Sequence, residues 1–311
     1  MVYAERFGSR PATILFKYAV QWIRTARILN RERPDAVFVM TPPVFAALPA
    51  FWYAWRHGKT VVLDAHTAAF LHPRWRHWQW LQRLLCRRAS TTLVHNEHLA
   101  AILHASGAHV TLVPDVAIVF PEAGTFKRPD GFVVAAVCSF NYDEPIAEIF
   151  AAARSVPDVT FCMTGNARHL DPQLKEHIPP NVHLTGFLST EDYGTLLQTA
   201  DAVLTLTTRD HTMLRGAYEA IYQGTPVIVS DWPLLRTEFP SGAVHVDNTA
   251  SAIARAVRTI EHDRERFRSE AAASRQVKLA RWRSTRQAII DRVFERASDL
   301  HTATVSSRAS S

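Results

Sequence analysis

The sequence predicts an α/β protein of two Rossmann-like domains that face a cleft, the first of them incomplete. Two observations predict this fold. Buried apolar strands alternate with amphipathic helices along the chain, which is typical of parallel sheets. The alternation restarts after a polar, proline-containing segment at residues 121–131, as expected where one domain ends and another begins. Open parallel sheets bind ligands beyond the carboxyl ends of their strands, so we expect the binding site in the cleft.

The first domain, predicted at residues 1–120, contains four apolar strand patterns. We place these strands at 36–40, 60–66, 91–96 and 109–115. Helical periodicity lies between them, at 11–33, 44–56, 74–88 and 97–106.

The second domain, predicted at residues 124–280, repeats the pattern with six strands. We place them at 132–138, 159–163, 182–185, 202–206, 226–230 and 243–246. The helices between them are predicted at 144–155, 171–177, 190–199, 212–223 and 249–261. A long charged helix follows at 261–298, and its part 281–298 is expected to pack back on the first domain. Residues 299–311 are polar and predict a disordered tail.

Composition limits the class of protein and its partners. Hydrophobic residues make up 47% of the chain, which is enough for buried cores. The net charge of +6 favours an anionic partner, whether nucleic acid, an acidic membrane surface or a nucleoside diphosphate. Three cysteines without metal spacing favour a reducing cytoplasm. The uncharged run 37–55 contains three prolines, which argues against a membrane span.

The stretch 207–231 is the most informative part of the chain. Its pattern predicts a polar turn, a helix that ends at Gly224 and a buried strand. Thr208, Asp210 and Thr212 are candidate N-caps of this helix. The N–H groups and the positive dipole of such a helix start favour an anion, commonly phosphate. Glu219 is a lone carboxylate two turns into this helix. Spacing alone favours a half-exposed surface glutamate and a functional carboxylate about equally.

The order Glu219-Ala220 followed by Gly224-Thr225-Pro226-Val227 resembles the nucleotide-sugar site of the retaining family four of GT-B glycosyltransferases, the glycosyl transferases group 1. The resemblance implies a GT-B fold, a nucleoside diphosphate sugar as donor substrate and no cofactor. It also implies that Glu219 accepts hydrogen bonds from the donor ribose. His211 stands where most of the family has a second glutamate that contacts the donor sugar.

Family members usually open with a buried strand and a glycine-rich turn that faces the acceptor, so the resemblance implies that the first domain is short by at least one strand–helix unit. Either the recorded start lies downstream of the true one, or the acceptor side is reduced.

The resemblance assigns further donor-binding positions. In the loop 138–145 the family has a glycine-rich turn and an Arg/Lys pair on the diphosphate, but this chain has Phe140 and Pro145 there. We therefore expect the backbone near Ser139 and the side chain of Asn141 to meet the phosphate, while Asp143 and Glu144 cap the next helix. The donor-binding set is completed by residues that follow predicted strands or flank the 212–223 helix: Gly165, Asn166, Leu188, Arg209, Thr212 and Arg215.

His66 is the predicted catalytic residue of the first domain, together with Glu219 of the second. It ends the strand 60–66, at the edge of the sheet where ligands bind, and the resemblance implies that it faces the donor sugar and phosphate. Asp64, two residues earlier on the same side of the strand, is expected to orient it. The alternative is a histidine that only bonds the local backbone. No cluster with metal-ligand spacing is predicted.

We expect a metal-independent, retaining glycosyltransferase that transfers a sugar to a carbohydrate or lipid-linked acceptor in surface polysaccharide or glycolipid synthesis. A nucleotide-sugar epimerase of the same fold and a non-catalytic nucleotide-sugar-binding descendant are the alternatives. Residues 73–88 form a basic helix with tryptophans, which is typical either of contact with the inner face of an anionic membrane or of a helix packed on the core. We expect no nucleic-acid partner.

Overall fold

The computed structural model describes residues 14–309, and the side chains of 16–70 and 72–294. The chain divides into two compact units. Unit 1 comprises the residues up to Pro114 together with those from Arg283 onward, and unit 2 is Asp115–Trp282. These bounds differ by a few residues from the predicted domains at 1–120 and 124–280.

Unit 1 contains a four-stranded parallel sheet in the described residues. Its strands, in the spatial order β1-β2-β3-β4, are β1 Ala36–Thr41, β2 Thr60–Ala65, β3 Thr91–Val94 and β4 Val110–Leu112. Its helices before residue 114 are α1 Ile14–Glu32, α2 Leu48–His57, α3 Ala68–Leu71, α4 Gln79–Arg88 and α5 Glu97–His104. Apolar side chains such as Leu63, Leu85 and Leu99 form the core between sheet and helices.

Unit 2 contains a six-stranded parallel sheet. Its strands are β5 Phe132–Ala136, β6 Val159–Thr164, β7 Val182–Gly186, β8 Ala202–Thr205, β9 Val227–Ser230 and β10 Ala243–Val246. They lie in the order β10-β9-β8-β5-β6-β7, the doubly wound order of a Rossmann-like fold. Its helices are α6 Ile146–Ser155, α7 Pro172–Lys175, α8 Thr190–Thr199, α9 Arg215–Gln223, α10 Pro233–Glu238, α11 Ala250–His262 and the start of α12 Arg264–Ala309. The two Rossmann-like units predicted from the strand–helix alternation are confirmed.

The structure corrects two predictions about elements. The short helices α3 and α10 were not predicted, because each has fewer than two helical turns of sequence pattern. The long C-terminal helix continues to Ala309, through most of the segment predicted as a disordered tail. No glycine or proline interrupts residues 264–309, so nothing in the backbone chemistry stops the helix earlier.

Asp201 links neighbouring segments at the amino ends of the strands in the unit 2 sheet. Its carboxylate is fully buried, accepts the backbone N–H of Val133 at 2.8 Å and pairs with Arg128 at 2.6 Å. A second arginine, Arg264, reaches it from the first turn of α12. A buried carboxylate needs such partners to offset its desolvation, so this cluster ties α12 to the sheet.

Candidate functional site

The candidate site of unit 2 lies where the strand order reverses. β5 is paired with β6 on one side and with β8 on the other. In an open parallel sheet the loops after two such strands diverge at their carboxyl ends and leave a crevice, which is where ligands bind. The loops after β5 and β8, residues 137–145 and 206–214, are therefore the strongest candidates for a binding site in this unit.

The loop after β5 folds around the carboxylate of Glu144. Its oxygens accept hydrogen bonds from the backbone N–H of Ser139, at 2.9 and 3.0 Å, and of Asn141, at 3.1 Å. Phe140, between them, has a φ of 57°, which turns neighbouring N–H groups toward one point. Burial raises the pKa of Glu144, although the hydrogen bonds from the backbone favour its charged form.

This geometry changes the expectation for the loop. Its N–H groups form an anion-binding turn, but the anion is the protein's own carboxylate. Glu144 and Asp143 were predicted to cap the next helix, and this is wrong. α6 begins at Ile146 with Pro145 in the capping position and without a side-chain cap, because Glu144 reaches back to the loop instead.

Asp143 joins the two loops. Its backbone carbonyl accepts a hydrogen bond from the N–H of Thr208 at 2.8 Å. Its carboxylate accepts the hydroxyl of Thr207 at 3.3 Å. The loops on the two sides of the crevice are therefore connected, and a ligand that moves one of them acts on the other.

Arg209 and His211 lie in the loop after β8. The Nη1 of Arg209 donates to the hydroxyl of Tyr142 at 2.9 Å, which links the exposed ends of both loops. His211 has a left-handed φ of 56°, and its N–H donates to the carboxylate of Asp210 at 2.6 Å. The hydroxyl of Thr212 donates to the carbonyl of Asp210 at 3.5 Å.

The start of α9 corrects the prediction that Thr208, Asp210 or Thr212 caps this helix. The helix begins at Arg215, three residues later than predicted, and its capping residue Leu214 makes no side-chain cap. Leu214 is extended, with a φ of −93° and a ψ of 95°, so the helix cannot begin before Arg215. Because no side chain caps the first turn, its N–H groups and the helix dipole remain suited to an anion.

Gly216 lets this first turn approach the end of β5 closely. A Cβ at this position would lie 2.8 Å from the Cγ1 of Val137, closer than real contacts allow. Glycine therefore brings the start of α9 against the segment that leads into the Glu144 loop. The anion-binding turn and the uncapped helix start consequently belong to one edge of the sheet.

Glu219 is nearly buried, with 9% of its surface exposed, so the half-exposed surface glutamate is excluded. One carboxylate oxygen accepts the hydroxyl of Tyr193 at 2.7 Å, and the other accepts the Nε of Arg215 at 2.8 Å. The pKa of Tyr193 is raised by its burial and by the charge of Glu219. A carboxylate held at both oxygens in a buried position has a fixed orientation, which suits recognition of a pair of hydroxyl groups.

Three further predicted residues follow β6 and β7, next to this site in the sheet. Gly165 has a φ of 105°, and a Cβ there would lie 2.4 Å from the carbonyl oxygen of Cys138, so only glycine fits. The side-chain oxygen of Asn166 accepts the N–H of Arg168 and caps a short 3₁₀ turn. Leu188 packs partly against the core, ahead of α8.

In unit 1, Asp64, His66 and His95 meet at the carboxyl ends of β2 and β3. The Nε2 of His66 lies 3.5 Å from one Asp64 oxygen, and the Nε2 of His95 lies 3.2 Å from the other. The Nδ1 of His95 lies 2.9 Å from the carbonyl oxygen of Val113. The pKa of Asp64 is lowered: burial works against this, but contact with His66 and then His95 outweighs it. Asp64 lies beside His66, where it was expected.

The predicted residues thus fall into separate groups. Arg215 and Glu219 are in contact, and the neighbouring loops and strand ends of unit 2 carry Ser139, Asn141, Gly165, Asn166, Leu188, Arg209, His211 and Thr212. His66 belongs to unit 1. Sequence reasoning missed Tyr193, the role of Glu144 and His95. Only His95 had a signal, because it directly follows the strand next to the one that ends at His66.

None of the described helices combines the length and the apolar character that a membrane crossing requires. The basic segment 73–88 is a 3₁₀ turn followed by α4. Trp75 and Leu81 pack on the unit 1 core, whereas Trp80 remains exposed. The packed-helix interpretation therefore holds for one face of this segment.

Several solved structures share the fold of this chain. A structure of Anabaena HepE in complex with UDP and glucose has a TM-score of 0.66 at 15% identity, and the match covers 87% of this chain and 80% of that one. Sucrose-phosphate synthase from Thermosynechococcus elongatus has a TM-score of 0.65 at 14% identity, covering 97% and 81%. A putative UDP-N-acetylglucosamine 2-epimerase from Listeria monocytogenes has a TM-score of 0.56 at 16% identity, covering 86% and 74%. At these identities the likeness establishes the fold.

A comparison with curated protein sequences gave no match. The model of the family described as glycosyl transferases group 1 matches residues 124–277, which are nearly all of unit 2. This range contains Glu219 with its partners Tyr193 and Arg215. Unit 2 of this chain therefore belongs to the glycosyl transferases group 1, and the chain as a whole has the GT-B fold.

Proposed function

We propose that this protein transfers a hexose, with retention, from a nucleoside diphosphate donor to a carbohydrate or lipid-linked acceptor in surface polysaccharide or glycolipid synthesis. The observation that carries the proposal is Glu219. Its buried carboxylate is oriented by Tyr193 and Arg215, in the first turns of a helix at the reversal point of the sheet. The structure of the Anabaena protein with UDP and glucose supports a donor of this class.

The donor diphosphate binds at the uncapped start of α9. There the helix dipole and the N–H groups of its first turn stabilise the charge that develops on the leaving group, without a metal ion bridging the phosphates. Arg209 and Arg215 take the place of the family's Arg/Lys pair. Ser139 and Asn141 approach the phosphate from the other loop, and Thr212 and His211 approach the donor sugar.

The nucleoside occupies the neighbouring strand ends. Glu219 accepts the ribose hydroxyl groups, the turn at Gly165 and Asn166 approaches the nucleotide, and the backbone at Leu188 meets the base. Unit 1 supplies the acceptor side. His66 acts in the transfer as a hydrogen-bonding partner of the reacting groups, and the exposed aromatic and basic side chains of this unit contact an anionic membrane at the inner face of the cell.

The test is binding followed by transfer. Nucleoside diphosphates should raise the melting temperature, and Glu219→Gln should abolish most of this rise, because losing charged hydrogen bonds to two hydroxyls costs about 1–3 kcal/mol of binding. Glu265→Gln, at an exposed glutamate of α12, is the matched control. An undiminished shift in Glu219→Gln would remove Glu219 from the donor site.

A non-catalytic nucleotide-sugar-binding protein is the second candidate. It is favoured by Glu144, whose carboxylate fills the turn where the family binds diphosphate, and by Phe140 and Pro145 in place of the clamp. Incubation with radiolabelled nucleotide sugars separates the candidates. Hydrolysis or transfer supports the transferase, epimerised donor supports an epimerase, and donor binding without any turnover supports the binding protein.

A further inference from the structure

We propose that Asp64, His66 and His95 bind a divalent transition-metal ion of the zinc class. This goes beyond the proposed sugar transfer, which assigns no ion to unit 1. In the described part of the chain, these three side chains form a cluster of two imidazoles and one carboxylate that could hold a metal ion. Their ligand atoms all lie within 4.8 Å of one another.

The backbone brings these residues together by register. Asp64 on β2 is the partner of Leu93 on β3, so two residues further along both strands His66 lies beside His95. Asp64 and His66 are two positions apart and point to the same side of the sheet. The imidazole ring centroids are 4.7 Å apart. The arrangement therefore follows from two adjacent strand ends and needs no flexible loop.

The spacing of the ligand atoms is close to that around a shared ion. The two carboxylate–imidazole contacts measure 3.5 and 3.2 Å. Ligand atoms about 2.0–2.2 Å from a tetrahedral ion lie roughly 3.3–3.6 Å apart. One oxygen of Asp64 and the Nε2 of His66 are inaccessible to solvent, and beyond the ion-pair contacts above neither makes a hydrogen bond of good geometry. Buried polar atoms that converge in this way need a common partner, and a cation supplies one.

The surroundings of His95 support the same assignment. Its Nδ1 lies 2.9 Å from the carbonyl oxygen of Val113, which requires a proton on Nδ1 and leaves the Nε2 lone pair toward Asp64. Histidines that bind metals usually donate their second N–H to a backbone carbonyl in this way. The carbonyl is itself fixed, because Val113 donates its N–H to the carbonyl of Val94 at 2.8 Å.

The ligand set selects the ion. Two imidazoles and one carboxylate suit zinc and its first-row neighbours, whereas magnesium prefers oxygen ligands only. Three protein ligands leave a fourth position for water or for an oxygen of a bound molecule. A bound ion would occupy the buried Nε2 of His66, while the side chain remains 43% exposed and its Nδ1 can still serve a second partner.

The experiment titrates the full-length, tag-free protein with Zn²⁺ by calorimetry, and with Co²⁺ by visible absorption, which reports tetrahedral ligation. We expect one saturable site, no response to Mg²⁺, and a rise in melting temperature with Zn²⁺ that EDTA reverses. His95→Gln and Asp64→Asn should each weaken binding by at least about tenfold. His104→Gln, an exposed histidine of α5, is the matched control and should bind as the wild type does.

Several outcomes would overturn the site. These are non-saturable binding, a Zn²⁺ affinity unchanged in Asp64→Asn and His95→Gln, or an equal loss in His104→Gln. If the variant at His95 does not fold, His66→Gln at the partly exposed ring decides the same question. Nucleoside diphosphate binding measured in EDTA tests the donor site independently, so the two proposals can fail separately.

Discussion

Arg209 and Arg215 make different contacts within the protein. Arg215 is paired with Glu219 at 2.8 Å, whereas Arg209 contacts Tyr142 at the loop surface. We predict that Arg209→Gln weakens diphosphate binding much more than nucleoside binding, since the ligand loses a contact to its phosphate and none to its nucleoside. Arg215→Gln should weaken both, because it also releases the Glu219 carboxylate. Calorimetric titration with a nucleoside and its diphosphate measures this.

Arg255→Gln, at an exposed position of α11, controls for the loss of one positive charge from unit 2. Equal losses for nucleoside and diphosphate in Arg209→Gln would show that Arg209 acts on the loop conformation and not on phosphate.

Glu144 places a negative charge in the turn that the proposed diphosphate approaches. Replacing it with the isosteric, neutral glutamine should therefore raise diphosphate affinity, by about threefold to tenfold for a charge several ångströms away in a partly solvated site. Glu148→Gln, an exposed glutamate on α6, should change affinity little. A weaker affinity in Glu144→Gln would mean instead that the carboxylate holds the loop in its binding form.

His66 is expected to matter for turnover more than for folding. Its side chain is 43% exposed at a strand end, so His66→Ala removes little core packing. We predict a nearly unchanged melting temperature in EDTA and a fall in turnover of roughly a hundredfold, the scale of a lost positioned proton or charge partner. His104→Ala is the control. Early unfolding or full activity of His66→Ala would make His66 a structural residue.

At the scale of elements, the buried side chain of Lys278 anchors the unit 2 part of α12. Lys278 donates to the backbone carbonyl of Glu238 at 2.6 Å and lies 4.7 Å from the ring centroids of both Tyr218 and Phe239. Burial lowers the pKa of Lys278 to about 8, against the attraction of Glu238. Tyr218 belongs to α9, so α12 packs behind the helix that carries Glu219.

The lowered pKa predicts a pH dependence with a definite sign. Near pH 8–10 the unfolded chain binds a proton on Lys278 that the folded protein releases, so the free energy of unfolding should rise with pH. Lys278→Met lacks this titration. Between pH 7.5 and 10 the wild type should therefore gain about 1–3 kcal/mol relative to the variant. Urea unfolding at several pH values measures it, with Lys175→Met, an exposed position, as control; a constant difference would contradict the lowered pKa.

At the scale of the whole molecule, the two proposed ligands should act on different units. We predict that a nucleoside diphosphate slows hydrogen exchange in residues 137–145 and 206–219 of unit 2. Zn²⁺ should slow it in 60–66 and 91–96 of unit 1. Exchange followed by mass spectrometry tests both assignments, because bound ligands suppress local opening. Protection by Zn²⁺ confined to unit 2 would place the ion elsewhere.

The strand–helix alternation predicted both units because buried parallel strands leave long apolar runs in a sequence. The motif from Glu219-Ala220 to Val227 is a run of neighbouring residues, so the sequence alone was enough to predict the family. The helix and its end were predictable for the same reason, because they too depend on neighbouring residues. Tyr193, Glu144 and His95 were missed as site residues. Each acts through a partner that the fold brings near: helix packing brings Tyr193 to Glu219, a loop that folds back places Glu144, and sheet register places His95. Helix packing and a folded-back loop leave no local pattern, and register leaves only the position of His95 after a strand.

The helix start was the least predictable boundary. Three residues with good capping side chains precede α9, but the extended backbone at Leu214 starts the helix beyond all three of them. Capping propensity describes what a side chain can do once the backbone is placed. At this position the loop geometry sets the backbone, and the sequence alone carries no sign of it.

All three cysteines of the chain, Cys86, Cys138 and Cys162, are buried and unpaired. Burial raises the pKa of each thiol, for Cys162 to about 11, so the thiolate that reacts with maleimides is scarce at neutral pH. The cysteines of the native protein should therefore react only slowly with thiol-directed labels. A single cysteine introduced at Phe187, whose side chain is 83% exposed beside Leu188, would carry a fluorophore that reports donor binding without first removing the natural thiols.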